Sequence, residues 1–336
     1  MRKIRIAQIG INLNSHGGEV FETLKSLPDV FEVVGYTLVE NEREECAHKL
    51  KVFDGYKELT LDEILNDPTI EAVTVETDEI HLTKYTMMAV EHGKHVHMEK
   101  PGSQSVEDFE KLIDAVKKGG KAFSTGYMYR FNPFIVDAIE RAKSGNLGKV
   151  FHVDAQMSVL HDMPLRAWQK TFKGGMAFYL GCHLIDLVVL LLGKPTKIIP
   201  LNRPADSLEN DAEDFCMIVM EFASGAIATI KTCGAEVGGH PRRRLAVCGT
   251  KTTIDICPLE YFEEGVVYPD MKCDKMEYTG RANGTKSTTP VFHRYRDMLL
   301  AFGEFARGER ENPFTPDYEL ELYKIVMQCC GFEIKE

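Results

Sequence analysis

A lysine stands at the end of a short apolar segment, where a catalytic cation is expected. Residues 94–99 (KHVHME) predict a strand, and Lys100 and Pro101 follow it directly. Ligands of open parallel sheets bind beyond the carboxyl ends of the strands. The ammonium group would bring a positive charge and three hydrogen-bond donors into that crevice, and Pro101 would stiffen the turn. Lys100 is therefore interpreted as a catalytic or substrate-orienting residue; the alternative is a surface lysine in a loop.

A second group of polar residues falls on one face of a predicted helix. The helix spans roughly residues 176–192, and Tyr179, His183 and Asp186 follow one another at spacings of four and three residues. Those spacings place the three side chains on one face. Histidine titrates near neutral pH and can exchange a proton with a substrate hydroxyl, with Asp186 fixing its orientation. The alternative is a histidine that is packed and hydrogen-bonded in a domain interface.

The loop after the first predicted strand carries a partial phosphate-binding signature. The usual pattern, G-x-G-x-x-G, brings backbone amides to a pyrophosphate at a helix N-terminus. Here Gly10 matches the first position, and Asn12 and Ser15 occupy the other two. Asparagine tolerates positive φ and serine is small, so the geometry is allowed. An ordinary strand-to-helix turn is the alternative, since one glycine is a weak motif.

A carboxylate that would hold the cofactor ribose is expected at the end of the second strand. Glu40 is the acid nearest to that place, and a solvated loop charge is its alternative interpretation. Arg43 could pair with a 2′-phosphate instead. These residues alone therefore leave the choice between NAD and NADP open.

Strands and helices alternate over the first third of the chain, and they would position these residues. Strands separated by helices of about ten residues predict βαβ units and a parallel sheet. The predicted strands cover residues 3–9, 31–39, 71–76, 94–99 and 122–125. We therefore predict an α/β Rossmann domain, with a doubly wound parallel sheet, over residues 1–124.

The rest of the chain has a different pattern, with strands in succession. One strand is predicted near residues 151–159, and the long helix at 176–192 follows it. Four further strands are predicted at residues 214–222, 226–233, 244–248 and 252–257, and two closing helices near 291–307 and 317–331. We predict an α+β domain with a mostly antiparallel open sheet over residues 125–336.

Composition excludes several classes of protein. The chain has 336 residues and a formal net charge of −11, which disfavours non-specific nucleic-acid binding even though Arg242–Arg244 are consecutive. The longest apolar run, Leu187–Leu192, is far shorter than the roughly 20 residues that span a bilayer. Nine scattered cysteines without a CxxC motif, in a chain without a signal peptide, predict reduced thiols and a cytoplasmic location. No metal site is predicted, although His95 and His97 alternate along a strand.

Six segments, taken in order, carry a resemblance that runs nearly end to end. They are EAVTVETDEIH (71–81), GKHVHMEKP (93–101), GYMYRFNP (126–133), SGNLGKV (144–150), KGGMAFYLGCHLIDL (173–187) and RRRLAVCGTKTTIDICP (242–258). On these segments the chain resembles the Gfo/Idh/MocA oxidoreductases, the family of glucose–fructose oxidoreductase and inositol dehydrogenase.

The resemblance implies hydride transfer between a nicotinamide and a sugar, a polyol or a related derivative. The cofactor would be NAD or NADP, with NAD the favoured one, and the protein a homodimer or homotetramer through its C-terminal sheet. The implied catalytic residues are Lys100, His183 and Tyr179. The implied cofactor-binding residues are Gly10, Asn12, Leu13, Glu40, Thr77, His81, Glu99 and Lys100. The implied substrate-binding residues are Tyr129, Arg130, Trp168, Tyr179 and His183.

Three departures from the family pattern make this a divergent member. The glycine loop is degenerate, Tyr179 stands where an aspartate is common, and Asp78 stands where a proline is usual. Tyrosine does not replace a carboxylate, because its ordinary pKa is near 10. Two alternatives therefore stay beside the dehydrogenase hypothesis: a sensor that binds a dinucleotide or a sugar without turnover, and a glycosidase that recycles a bound NAD.

Overall fold

The computed structural model describes residues 2–262 and 268–334, which group into two compact units. The first unit holds the described residues through Tyr127 together with Tyr295–Tyr323. The second holds those from Met128 to Arg294 and from Lys324 onward. A single division of the chain at residue 124 does not anticipate the segment Tyr295–Tyr323, which joins the first unit.

In the described part of the first unit, a five-stranded parallel sheet has the order β2-β1-β3-β4-β5. The strands are β1 (Ile4–Ile9), β2 (Phe31–Thr37), β3 (Ala72–Val75), β4 (His95–Met98) and β5 (Phe123–Thr125). The chain passes from β2 back across β1 to β3, so the strand order reverses between β1 and β3. That reversal is where ligands of doubly wound sheets bind, and the predicted Rossmann sheet is confirmed.

The described residues of the first unit before Tyr127 form five α-helices, and local capping signals mark some of their ends. Thr60 forms a capping box with Glu63, and the side chain of Ser105 accepts a hydrogen bond from the Asp108 amide. Gly120 ends its helix in the left-handed conformation. These helices are α1 (Gly17–Lys25), α2 (Glu42–Glu45), α3 (Leu61–Asn66), α4 (Glu79–Glu91) and α5 (Val106–Gly119).

The described residues of the second unit form an eight-stranded mixed sheet with the order β14-β13-β11-β10-β6-β9-β8-β7. Only β6 and β9 pair in parallel within this described sheet, which confirms a mostly antiparallel arrangement. A separate ladder joins β12 to β15. The strands are β6 (Val150–Ser158), β7 (Pro195–Arg203), β8 (Phe215–Phe222), β9 (Ile227–Cys233), β10 (Arg244–Gly249), β11 (Thr253–Ile256), β12 (Asp270–Met271), β13 (Asp274–Tyr278), β14 (Thr285–Thr288) and β15 (Phe292–His293).

The long helix predicted at residues 176–192 is wrong as a single α-helix. Ala177–Gly181 form a π-helical turn, and the α-helix proper begins at Cys182. A Cβ at Gly181 would lie 3.3 Å from the Thr232 side chain, so glycine lets this turn pack closely against β9. The remaining helices are α6 (Pro133–Lys143), α7 (Met163–Trp168), α8 (Cys182–Leu192), α9 (Arg296–Arg307) and α10 (Pro316–Cys329).

A buried ion pair holds α8 to the turn that follows β5. Nε and one terminal nitrogen of Arg130 each donate to the Asp186 carboxylate over 2.9 Å. Both side chains are at most 2% exposed. This bidentate geometry satisfies two charges that would otherwise be costly to bury, so the pair fixes the position of α8 and of its polar residues.

We expect Asp186→Ala to lower the free energy of unfolding by about 3–5 kcal/mol, because it leaves a buried guanidinium without its carboxylate. Urea denaturation followed by circular dichroism measures the loss. Asp211→Ala, which removes the exposed partner of Lys170, is the control and should cost about 0–1 kcal/mol. Equal losses in the two variants would show that burial of the Arg130 pair does not matter.

Candidate active site

The glycine loop approaches the end of β3 so closely that a side chain is excluded. Gly10 has φ +83°, and a Cβ there would lie 2.8 Å from backbone and side-chain atoms of Thr77. Gly17, the first residue of α1, is equally restricted, since its Cβ would lie 2.5 Å from the Ile11 carbonyl oxygen. Gly17 thus supplies the close helix packing that the sequence motif assigns to Ser15. The sequence pattern did not identify Gly17 because this loop has two residues more, before its last glycine, than the usual G-x-G-x-x-G motif.

Asn12 organises the loop from inside. Its φ is +53° and its side chain is buried. Its Nδ2 donates to the Thr77 carbonyl over 3.2 Å and to the Glu79 carboxylate over 3.1 Å, while its Oδ1 accepts from the Asn14 amide. The predicted residues Gly10, Asn12 and Thr77 therefore meet at one place, with the Leu13 side chain 40% exposed beside them.

Glu42 is a buried acid at this loop that the sequence prediction missed. Its carboxylate accepts from the backbone amides of Ile11, Asn12 and Val39 over 3.0–3.2 Å. Burial raises the pKa of Glu42, and these three amides oppose that shift. The carboxylate ties the glycine loop to the segment that follows β2. In the sequence, the only indication that Glu42 could matter was its position two residues after the predicted ribose carboxylate Glu40.

Glu40, the predicted ribose carboxylate, lies against α4. It has φ +50°, and its carboxylate accepts from Lys84 and from the Tyr85 hydroxyl over 2.7 Å each. His81 Nδ1 lies 3.7 Å from the same oxygen. Hydrogen bonds from Lys84 and Tyr85 lower the pKa of Glu40. The structure thus brings together two predicted cofactor residues, Glu40 and His81, and keeps the carboxylate ionised.

Lys100 and Glu99 form a buried pair at the carboxyl end of β4. The two side chains are 5% and 7% exposed, and Lys100 Nζ lies 3.6 Å from Glu99 Oε1. A Cβ at Gly126 would lie 2.2 Å from the other Glu99 oxygen, so Gly126 makes room for this carboxylate. The lysine is therefore held next to a fixed carboxylate and does not extend from the surface, which rules out the alternative of a surface lysine in a loop.

In the second unit, Tyr129 binds a carboxylate that the sequence did not reveal. Its hydroxyl donates to Glu260 over 2.6 Å, and Arg243 and Arg294 donate to the same oxygen over 2.7 and 2.9 Å. Burial favours a raised pKa for Glu260, but the two guanidinium groups outweigh it and lower that pKa. Burial and the Glu260 charge raise the pKa of Tyr129, so Tyr129 keeps its proton.

The ring of His183 lies edge-on to Tyr129, with centroids 5.1 Å apart and planes at 78°. His183 is 2% exposed. The Tyr129–Glu260 hydrogen bond fixes the tyrosine ring, and the edge contact then restricts the imidazole. The structure thereby brings the predicted residues Tyr129 and His183 together. The hydrogen bond from Tyr129 to Glu260 holds both rings in position.

Tyr179 belongs to a separate aromatic group. Its ring lies edge-on to Trp168, with centroids 5.4 Å apart, and 5.9 Å from the ring of His161. Burial lowers the pKa of His161 to about 4, so this imidazole is neutral at pH 7. Arg130, predicted to bind substrate, directs its guanidinium to Asp186 as described above.

The consecutive arginines at 242–244 do not form a basic patch. Arg242 pairs with Glu236, Arg243 with Glu260, and Arg244 with both Asp154 and Asp255. Each charge is compensated because the strand and turn direct the three side chains to different acids.

The first unit has the features that a dinucleotide needs. Gly10 lets the loop lie directly against Thr77 without a side chain between them, and Gly17 opens a nine-residue helix at the strand-order reversal. The Ser15 hydroxyl is buried and has no hydrogen-bond partner among residues 2–262 and 268–334. A polar atom left unpaired beside this loop fits a site that a ligand completes.

Metal-binding clusters and membrane-spanning helices are both absent from the described ranges. No group of three or more histidine, cysteine, aspartate or glutamate side chains there is arranged to hold a metal ion. Every helix in those ranges is too short or too polar to traverse a lipid bilayer.

Two family models match the chain. Residues 4–127 match the oxidoreductase family with an NAD-binding Rossmann fold, and residues 135–255 match the GFO/IDH/MocA C-terminal domain. The first match lies in the first unit and the second in the second unit, in the order expected from the quoted motifs.

Curated relatives and a solved structure agree with these models. The chain is 28% identical to scyllo-inositol 2-dehydrogenase (NAD(+)) of Bacillus subtilis over 59% of this chain and 58% of that protein. It is 26% identical to myo-inositol 2-dehydrogenase of Thermotoga maritima over 88% of this chain and 85% of that protein. The fold matches that of aldose-aldose oxidoreductase from Caulobacter crescentus, with a TM-score of 0.79, 20% identity and 98% coverage of each chain. The chain belongs to the Gfo/Idh/MocA family of NAD-binding oxidoreductases.

Proposed function

We propose that this protein is a dehydrogenase or reductase that uses NAD or NADP and acts on a CH–OH group of a sugar or polyol. The observation that carries the proposal is Lys100, a buried cation at the carboxyl end of β4 in a sheet built to bind a dinucleotide. Two inositol dehydrogenases among the relatives support a cyclic polyol or a sugar as the substrate class.

The nicotinamide, when bound, supplies or accepts the hydride. Lys100 hydrogen-bonds the reacting oxygen and stabilises the negative charge that develops on it. Glu99 holds the ammonium in place at 3.6 Å. His183 takes the hydroxyl proton in oxidation and returns it in reduction, and Tyr129 restricts its ring. Tyr179 and Trp168 border the substrate, and Tyr179 assists proton transfer.

The residues assigned to the cofactor come from the loop after β1 and the ends of β2, β3 and β4. The Gly10–Gly17 loop, which includes Leu13, and Thr77 would receive the pyrophosphate. Glu40 and His81 would bind the adenosine ribose. Support for this assignment is the contact of Gly10 and Asn12 with Thr77 and that of Glu40 with His81.

A panel of inositols and sugars tests the proposal directly. Each compound is incubated with the protein and NAD or NADP, and its ketone with NADH or NADPH, while nicotinamide absorbance is followed. We expect stoichiometric change in the cofactor with at least one polyol or sugar. Binding of a dinucleotide without turnover of any compound would favour the sensor alternative.

One observation favours a sugar-binding protein as the second candidate. The Glu42 carboxylate already occupies the amides of Ile11 and Asn12, which belong to the phosphate-binding loop. If the carboxylate stays there, a pyrophosphate loses two of its donors. Crystals grown with NADH distinguish the two cases, because a productive complex requires these amides to face the cofactor.

We also infer that the open face of the second sheet binds another copy of the chain. At the β7–β8–β9 edge this face carries apolar side chains: Leu201 and Ile227 are 44% and 46% exposed, and three more are half-buried. The three are Ile199, Met217 and Val219. Neighbouring apolar groups of this kind are typical of contact surfaces.

We expect the wild-type chain to elute as a dimer or tetramer, and Leu201→Asp to elute as a smaller species, because a charge on this face costs desolvation. Size-exclusion chromatography with light scattering measures the mass. Leu208→Asp, at a leucine that is 96% exposed, is the matched control and should keep the wild-type mass. A monomeric wild type would refute the interface.

Lys100→Met should lower kcat by about 10²–10³-fold, because it removes the donor that stabilises the reacting oxygen. Dinucleotide affinity should change little, as measured by calorimetric titration with NADH. Lys111→Met, at an exposed lysine of α5, should match the wild type in both measurements. Comparable losses of kcat and of affinity in Lys100→Met would assign the lysine to cofactor binding instead.

A further inference from the structure

Glu76 is a buried acid that the mechanism above does not use. It follows β3 directly, and its backbone amide donates to the Ile9 carbonyl, which places it at the carboxyl edge between β1 and β4. It is 0% exposed, and neither carboxyl oxygen has a hydrogen-bond partner among the described residues. A Cβ at Gly17 would lie 3.0 Å from Glu76 Cβ, so the acid lies under the first residue of α1.

Glu79 is a second buried acid at the same edge. It is the first residue of α4 and is 0% exposed. One carboxyl oxygen accepts from Asn12 of the glycine loop over 3.1 Å, and the other has no partner in the described ranges. Glu76 and Glu79 thus contact the two ends of the loop that the coenzyme must occupy.

Negative charge outweighs positive charge around these two acids. Glu99 lies beside Glu76 on the next strand, since Thr74 and His97 pair two residues earlier in each. The charged groups that face the two acids are Glu19 on α1, Asp78 before α4, and Glu99 and Lys100 after β4, with Lys49 facing Glu79. Glu42 lies at the same loop.

Burial and these neighbours favour the neutral acids. Burial, followed by the charge of Glu99, raises the pKa of Glu76 well above its ordinary value. Burial raises the pKa of Glu79 to about 7, and Lys100 opposes that shift. A dinucleotide brings two negative phosphate charges to the loop, which raises the cost of ionising both groups further.

We propose that the coenzyme binds this loop together with protons, which keep Glu76 and Glu79 in their neutral form. The inference rests on the proposed function, because it requires a dinucleotide at the Gly10–Gly17 loop. In the neutral form each acid can donate a hydrogen bond and does not repel the pyrophosphate. Glu76 and Glu79 are therefore positioning residues for the coenzyme, and they make its affinity depend on pH.

The sign of that dependence follows from linkage. The bound coenzyme raises the pKa of each acid above its value in the free protein, so binding takes up protons. Coenzyme affinity is at its maximum when the pH lies below the pKa that each acid has in the coenzyme-free protein, which is about 7 for Glu79. It falls as the pH rises above that value, by up to about tenfold per pH unit for each proton taken up.

Calorimetric titration of the full chain with NADH and with NADPH tests this proposal. Titrations in two buffers of different ionisation enthalpy count the protons taken up, at pH values on both sides of 7. We expect net proton uptake and weaker binding at the higher pH. Glu76→Gln and Glu79→Gln should each reduce the uptake and the pH dependence, because glutamine keeps a donor and cannot ionise. Glu91→Gln, at an exposed residue of α4, should behave like the wild type.

The outcomes separate this proposal from the function it rests on. Coenzyme binding with no proton uptake, or uptake that persists in the Glu76→Gln/Glu79→Gln double variant, overturns the proposal and leaves the dehydrogenase assignment intact. Absence of binding by either coenzyme at every pH overturns both. The number of protons taken up by the wild-type protein can be measured without any substitution. Absence of proton uptake would therefore overturn the proposal even if a variant does not fold. Infrared spectra supply a second measurement, since the carbonyl stretch of a neutral buried acid should disappear in Glu76→Gln.

Discussion

The close approach of β1 to β3 at their carboxyl ends is the constraint on which the first unit depends. Gly10 and Thr77 meet so tightly that no side chain fits at residue 10. The strand order reverses here, and ligands of doubly wound sheets bind at such a reversal. Asn12 closes this arrangement by binding both the Thr77 carbonyl and Glu79. The phosphate loop is therefore held by contacts across the sheet edge as well as by its glycines.

Buried charge is treated differently in the two units. In the second unit Asp186 is matched by Arg130, and Glu260 by two arginines and Tyr129. Such complete pairing fixes side chains in place, and the positions of α8 and of the His183 ring depend on it. In the first unit Glu76 has neither a cation bonded to it nor a hydrogen bond in the described ranges. Unpaired polar groups of this kind are typical of sites completed by a ligand.

Most of the order of strands and helices before Tyr127 could be predicted because many of these elements have local signals, although the short helix α2 was not predicted. Thr60 and Ser105 mark helix starts, and Gly120 marks a helix end. Lys100 could also be singled out as a candidate, since it comes directly after a predicted strand. The π-helical turn at Ala177–Gly181 was not, because it arises where packing against β9 overrides the local preference for an α-helix. The close packing at Gly17 was not predicted, because the loop is longer than the usual motif.

By itself the sequence determined the fold class and the family and supplied the candidate segments for the chemistry, because these depend on local periodicity, caps and motifs. Only the tertiary structure decided which charges meet. Glu42, Glu76 and Glu260 are unremarkable in the sequence, and each becomes important through a neighbour far along the chain. Burial and pairing set the ionisation of a side chain, and both depend on contacts between distant segments, which a one-dimensional pattern does not record.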